Sequence, residues 1–421
     1  MTVPQIISLT ALIIVIFLSF RKSGDVFSPA KVFLAVWSFC IFLAEFKFSG
    51  YQHQWSLNSW FVLISGLFFF LAGIYVAYTI FLGRTIFSIN EIRSRIKIIN
   101  QPSLKKLFYA IIILFILYLV AFAIEVLVEG YVPLFSPRFD RARIEFGLFG
   151  FHLIVNFQLV IMFLNIEYLV LAKGHTREKF IVWGIFFITL ISFSLLLQRF
   201  NFFFSGIMIL TFLYYGSRVL KLRNVLVMVL FFFGLLTAIQ SVRLSQYASQ
   251  YVYIISKMKF SRDYAFFSEP YMYISMNLEN MARAVDKLEN YMYGFFTFDW
   301  IYALFGLKHW IADYFNVNPR EFLISGYTTY PFHWYYYLDF GLIGMLVFSL
   351  FTGLVVGICY YNMRVTAKIQ WVILYSICVA LMVISFFTNP LMMLTFITNF
   401  LILWFIHHFY IEPNYTNLVS P

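Results

Sequence analysis

Leu107-Phe-Tyr-Ala-Ile-Ile-Ile-Leu-Phe-Ile-Leu-Tyr-Leu-Val-Ala-Phe-Ala-Ile-Glu-Val-Leu-Val128 runs for 22 residues with a single charge, Glu125. At about 1.5 Å per helical residue it crosses the ~30 Å hydrocarbon core of a bilayer. The pattern repeats outward from it, at 3–20, 29–48, 59–81, 151–172, 180–197, 201–216, 225–241, 332–360, 369–387 and 392–410. The 421-residue chain is 62% hydrophobic and 12% charged, with a mean hydropathy of +0.83. Globular chains average about 45–50% apolar and about 25% charged. A water-soluble fold, a disordered chain and a secreted disulfide scaffold are excluded.

The reading is an all-α polytopic membrane protein of about eleven transmembrane helices. Segment 332–360 is too long for one perpendicular helix, so its first third tilts, kinks or re-enters. Segments six and seven meet at Gln198-Arg199-Phe200, a hairpin almost without a loop. The first segment follows directly on Met1 with no basic region and no small-residue cleavage site, and reads as a retained helix. Cys40, Cys359 and Cys378 all fall in apolar runs, so no disulfide framework is implied.

Loop charge sets the orientation. Loops 21–28, 82–106, 173–179, 217–224 and 361–368 carry 16 Lys and Arg against three acids, Asp25, Glu91 and Glu178. The short loops of the alternate set carry only Arg138, Arg141, Arg143 and Arg199. Cytoplasmic loops hold the excess of positive charge. The N-terminus is therefore outside and the C-terminus inside. The chain divides into 1–241 with helices one to eight, a large helical extracytoplasmic (periplasmic) loop at 242–331, helices nine to eleven at 332–410, and a short cytoplasmic tail at 411–421. The net charge of +11 is spread over loops rather than gathered on a face, so nucleic acid is not an expected partner.

A 90-residue outer loop is too long to be a plain connection. Ser268-Glu269-Pro270 marks a helix start, and Ile274, Leu278, Met281, Val285 and Leu288 follow at helical spacing. A second amphipathic stretch is expected from Phe296 to Phe315. Two readings stand side by side, a cap lying on the membrane surface and a lid that grips substrate. No internal repeat is visible, which counts against transporters built from duplicated halves.

The chain has no phosphate-cradling Gly-x-x-x-x-Gly-Lys-Ser/Thr loop, no His-Glu-x-x-His, no paired cysteines and no Asp-x-Asp. No cofactor and no metal are therefore expected. What stands out is positive charge on the outer face, at Arg138, Arg141, Arg143, Arg199 and Arg243. Arginine's planar fork matches phosphate bidentately, so these five suit a pyrophosphate. Anchoring to lipid head groups, or local pairing with Asp140 and Glu145, accounts for them equally. Glu45, Glu125 and Asp339 lie near the outer ends of spans, where ionisable groups tend to face a cavity. His333, Tyr336 and Asp339 are spaced to share a helix face, and a histidine near neutral pH can take a proton from a sugar hydroxyl. The bland alternative makes Asp339 an arginine's partner and His333 an interfacial side chain. His53, His152, His175, His309, His407 and His408 read as structural.

Tyr271-x-Tyr273-x-x-x-Asn277-x-x-Asn280 and Tyr337-Leu-Asp-Phe-Gly-Leu-Ile-Gly344 give the chain a resemblance. With the eleven-span outline and the late outer loop, it resembles the bacterial O-antigen and oligosaccharide repeat-unit polymerases (Wzy-type), GT-C-like membrane glycosyltransferases. Related polymerases and O-antigen ligases often place a histidine eleven residues before the first glycine of an acid-x-Gly-x-x-Gly motif. Asp339-Phe-Gly341-Leu-Ile-Gly344 fits that motif; the histidine position falls on Tyr330, with His333 three residues later. The resemblance implies a metal-independent enzyme in the bacterial inner membrane, assembling O-antigen, capsule or exopolysaccharide. Its substrate is an undecaprenyl-pyrophosphate-linked oligosaccharide, and a chain-length regulator is an implied membrane partner. His333, Asp339, Arg199 and Arg243 would be catalytic; Arg138, Arg141, Arg143, Tyr271, Asn277, Glu279, Asn280, Tyr327 and Tyr330 would bind substrate. An O-antigen ligase or other lipid-dependent glycosyltransferase, and a lipid-linked oligosaccharide flippase, remain the alternatives. The carboxylate-free first outer loop, Ser49 to Asn58, disfavours polyprenyl-phosphate-sugar transferases.

Overall fold

The computed structural model describes residues 2–19, 25–96, 101–136, 142–143, 145–172, 174–217, 247–307, 310–311, 322–324 and 327–411. Among them the chain is helical, and the only extended pairing is one isolated bridge between Ser49 and Met258. The helices are α1 (Val3–Ser19), α2 (Pro29–Ala44), α3 (Leu57–Ile80), α4 (Ile89–Ile96), α5 (Gln101–Glu129), α6 (Phe151–Val155), α7 (Gln158–Leu171), α8 (Thr176–Ser194), α9 (Arg199–Gly216), α10 (Tyr247–Ile255), α11 (Ser268–Lys287), α12 (Asp299–Leu304), α13 (His333–Thr366), α14 (Ile369–Ile384) and α15 (Leu394–Phe405).

Helix occupies every apolar segment of the sequence except 225–241, which lies outside the described residues. Leu57–Ile80, Pro102–Phe135, Phe151–Leu171 and His333–Thr366 are long and apolar enough to cross a membrane. Val3–Ser19, Pro29–Ala44, Phe200–Gly216, Ile369–Ile384 and Leu394–Tyr410 are shorter apolar helices. This is the build of a membrane protein. Local chemistry sets the starts: Pro29 opens α2 behind Ser28, and the Ser56 hydroxyl accepts the Ser59 N–H at 3.1 Å ahead of α3.

Of the tilt, kink or re-entry left open for the overlong segment, the structure shows a kink. Within α13, Gly341 takes φ 64° and ψ −155°, a conformation that only glycine adopts readily. A Cβ there would also meet the Tyr291 hydroxyl at 2.7 Å. Beyond the kink, Gly353-Leu-Val-Val-Gly357 is a small-xxx-small pair in an apolar helix. Added Cβ atoms would lie 2.0 Å from the Phe70 carbonyl at Gly353, 2.4 Å from the Ala77 Cβ at Gly357, and 2.1 Å from the Leu350 carbonyl at Gly73. The backbones of α3 and α13 therefore touch, which is how helices associate where lipid is as apolar as they are.

Two compact units divide the chain. One comprises Met1–Thr85, Leu244–Tyr361 and Leu381–Ile397; the other comprises Ile86–Arg243, Asn362–Ala380 and Thr398–Pro421. In the first, α11 packs on α2, α3 and α10, over a core of Met258, Tyr271, Met272, Met276 and Ile324. In the second, α7 is the central helix, packed on α5, α8 and α9 and buried on all sides from Leu159 to Asn165.

The start expected at Ser268 is where α11 begins, and its apolar stripe packs inward at Leu278, Met281 and Val285. The second amphipathic stretch does not form one helix. Gly294 (φ 98°) and Gly306 (φ 70°) turn the chain on either side of the six-residue α12, and residues 308–309 and 312–321 lie outside the described residues.

Candidate functional site

Helix α11 carries polar residues on two opposite faces. At about 100° per residue, Tyr271, Glu279 and Asp286 fall within a sector of about 80°, and Asn277 and Asn280 lie on the opposite side. Both faces are covered, so every side chain from Ser275 to Ala282 is buried.

The first face receives the first outer loop. The Tyr271 hydroxyl donates to Gln52 Oε1 at 2.7 Å and accepts the Phe48 N–H at 3.0 Å. Burial pushes that hydroxyl up to about 12, so it remains a neutral phenol. Glu279 accepts the Trp55 indole N–H at 2.8 Å and the His53 backbone N–H at 3.2 Å, with His53 Nδ1 at 3.3 Å. Asp286 Oδ1 accepts the Ser56 and Ser59 hydroxyls at 2.9 and 3.0 Å. Ser49 Oγ completes the seam by donating to the Ser256 carbonyl at 2.7 Å. The loop that lacks a carboxylate of its own is thus supplied with two by α11.

The second face holds the segment entering α13. Asn280 Nδ2 donates to the carbonyls of Tyr327 (3.0 Å) and Thr329 (2.8 Å), and its Oδ1 accepts the Ile324 N–H at 2.9 Å. The Thr329 hydroxyl donates to Asn277, the Tyr327 hydroxyl bonds Ser256, and the Tyr330 hydroxyl bonds Tyr335. Burial raises Tyr327 and pushes Tyr330 up to about 12. The polar atoms of Asn277, Glu279 and Asn280 are engaged within the protein.

His333, Tyr336 and Asp339 do not converge. Each third residue of a helix steps ~60° around the axis, and two steps send Asp339 ~120° away from His333. The His333 ring is fully buried beside Phe332 and Trp37, in room left by Gly66, where a Cβ would stand 2.9 Å from Nε2. Tyr336 stacks on Phe348 with centroids 4.8 Å apart. The Asp339 carboxylate accepts the backbone N–H groups of Phe296 (3.2 Å) and Thr297 (2.5 Å). Backbone amides, rather than an arginine, are its partners in these bonds, and they fix the turn ahead of α12.

The arginines belong to the other unit. Arg143 is half-buried, and Arg199 is the first residue of α9. Arg138, Arg141, Arg243 and the Arg199 side chain lie outside the described residues. The same unit holds a chain of polar contacts that joins Glu125 to residues far from it in sequence. Buried Glu125 accepts the Leu148 N–H at 3.1 Å and holds His152 Nδ1 at 3.3 Å. His152 Nε2 lies 3.1 Å from Gln198 Nε2, one residue ahead of Arg199, and Asn201 Nδ2 continues to Asn156 Oδ1 at 2.7 Å. Glu167 and His407 form a second, almost fully buried pair at 3.1 Å. Glu45 is held by Thr2 at 2.8 Å and Lys47 at 3.7 Å. Each intramembrane carboxylate singled out from the sequence therefore has partners, as desolvated charge requires.

Compared with protein-family models, with curated proteins and with solved structures, the chain matches none.

Proposed function

We propose that the chain is a repeat-unit polymerase: a multi-pass, GT-C-like glycosyltransferase of the bacterial inner membrane. It transfers a growing glycan from undecaprenyl pyrophosphate onto a new lipid-linked repeat unit at the outer face. An acceptor hydroxyl attacks the anomeric carbon and the lipid pyrophosphate leaves. Arg138, Arg141, Arg143, Arg199 and Arg243 bind and neutralise that leaving group, so transfer proceeds in excess chelator.

One observation supports this reading above the others. The two motifs that carry the resemblance are nearly sixty residues apart in sequence, and each bonds a segment beside the other: the first bonds the chain that enters α13, and Asp339 of the second bonds the outer loop at Phe296 and Thr297. Asn277 and Asn280 of the outer-loop motif bond Thr329 and the Tyr327 and Thr329 carbonyls, on the segment that leads into His333–Gly344. A late loop whose motif organises the entry to the next helix is working architecture rather than a spacer.

The deciding experiment is an accumulation assay in cells lacking the protein. Single lipid-linked repeat units should collect at the outer face while polymer disappears. Units retained at the inner face would identify a flippase, and polymer formed normally but left on the lipid would identify a ligase.

A further inference from the structure

His53 is an exposed titratable group of the outer-loop network, held by a buried carboxylate. Its side chain is 71% exposed, whereas the Glu279 side chain it meets is 3% exposed. A carboxylate only accepts, so the proton of the neutral imidazole lies on Nδ1, facing Glu279, and the Nε2 lone pair faces the aqueous side. Glu279 cannot swing away, because Trp55 Nε1 and the His53 backbone N–H hold it at 2.8 and 3.2 Å. The loop does not need the imidazole for anchorage. Tyr271–Gln52, Ser256–Ser49 and Asp286–Ser56 already pin it on both sides.

Beside the imidazole, Trp55 and Trp60 lie with ring centroids 4.6 Å apart at 41°, both half-buried. An aromatic face is negative at its centre and attracts the polarised C–H face of a sugar ring. A buried carboxylate on α11, the His53 imidazole and Trp55 on the first outer loop, and Trp60 in the first turn of α3 are thereby gathered together.

We propose that this is the acceptor-saccharide site: the Trp55–Trp60 pair seats a sugar ring and His53, oriented by Glu279, takes the proton of the attacking hydroxyl. The inference rests on the polymerase reading and names the base for it. As the hydroxyl oxygen bonds the anomeric carbon of the donor glycan, its proton passes to His53 Nε2. The anomeric C–O bond to pyrophosphate breaks, and its electron pair leaves on the pyrophosphate. Glu279 stabilises the imidazolium until the proton is lost to water. His53 is the catalytic residue and Glu279 a positioning residue.

The test uses membranes bearing the full chain, with lipid-linked repeat units extracted from cells that lack it as the probe. His53→Ala removes an exposed side chain, so the protein should accumulate normally. Its rate at saturating repeat unit should fall about 10²–10⁴-fold, the usual worth of a general base, with the half-saturating concentration unchanged. Added imidazole should restore activity in proportion to its concentration, which a merely structural role would not allow. Trp60→Leu should do the reverse, raising half-saturation while sparing the maximal rate. A His53→Ala protein of wild-type rate, or a slow one that imidazole does not rescue, overturns the assignment of the base. Unchanged half-saturation in Trp60→Leu overturns the sugar platform. Wild-type membranes that make no polymer overturn the polymerase reading itself, and this inference with it.

Discussion

Gly353 lies so close to Phe70 that a Cβ added to it would stand 2.0 Å from the Phe70 carbonyl oxygen. Backbone cannot give way as a side-chain tip can, so the pair fixes how α3 and α13 meet. Gly353→Ala should force the helices apart and cost about 1–3 kcal/mol, more for Leu, as other overpacked cores do. Gly184→Ala in α8 is the control, because nothing lies within 4 Å of its added methyl. Thermal midpoints in detergent decide it: equal values for the two variants would mean that the seam is not there.

Asn280 should be the least replaceable residue of the outer loop. It is fully buried and bonds three backbone groups of the segment that enters α13. Asn280→Ala leaves those groups unmet, at about 1–3 kcal/mol for each buried one. Asn280→Asp should be worse, since an oxygen would then face two carbonyl oxygens. Hydrogen exchange at the Ile324 amide, bonded to Asn280 Oδ1, reads the effect directly. An unchanged rate in the Ala variant would remove the clamp.

Ser88 and Glu91 form a reciprocal cap at the start of α4. The Ser88 N–H donates to Glu91 Oε2 at 2.6 Å, and the Glu91 N–H lies 3.3 Å from Ser88 Oγ. The Ser88 bonds hold the Glu91 carboxyl below its ordinary value. A depressed folded-state pKa means stability that is complete above the unfolded value and disappears as pH falls through the lower, folded one. Amide protection in α4 should therefore be flat near neutrality and fall in acid. Glu91→Gln should lose that acid dependence, and a Gln variant that keeps it would point to another group.

The sequence reading and the structure part company for physical reasons. An apolar run must be long and unbroken to satisfy a bilayer, so helix was legible at ten of the apolar segments, four of them long enough to cross a membrane, while length left open whether segment 332–360 tilts, kinks or re-enters. The Gly353–Gly357 spacing was equally legible and passed unread. Helix α11 was visible by its stripe, but periodicity marks one buried face, and its polar faces are buried too because separate loops cover them. The His53–Glu279 pair is 226 positions apart, and nothing local in either residue announces the other. His152 reads as structural from the sequence, and the structure adds its partners, Glu125 and Gln198, which no local pattern names.

Orientation rests on loop charge and can be checked by labelling. The native cysteines Cys40, Cys359 and Cys378 are buried, so background is low. Cysteine in place of exposed Lys287 should react with an impermeant thiol reagent in cells freed of any outer barrier. Cysteine in place of Lys97, in the most basic loop, should stay shielded until the membrane is opened. Labelling at Lys97 in sealed cells would invert the topology and move every candidate residue to the wrong side.

The outward arginines carry the strongest chemical expectation. Arg199 opens α9 directly after Gln198, whose side chain is tied to His152, so the hairpin has its own support and should not depend on the guanidinium. Arg199→Ala and Arg243→Ala should thus reach the membrane at near-normal levels. Losing one fork from a desolvated pyrophosphate site should cost about 2–4 kcal/mol of transition-state stabilisation, or roughly 10²–10³ in rate. Lysine restores the charge but not the planar pair of donors, so Arg→Lys should recover only part of that rate. Head-group anchoring predicts a different pattern, with lysine serving as well as arginine and alanine doing little harm. Glycan ladders of wild-type length and amount from both Ala variants would remove the pyrophosphate cradle, because a residue that neutralises the leaving group cannot be deleted without slowing the transfer.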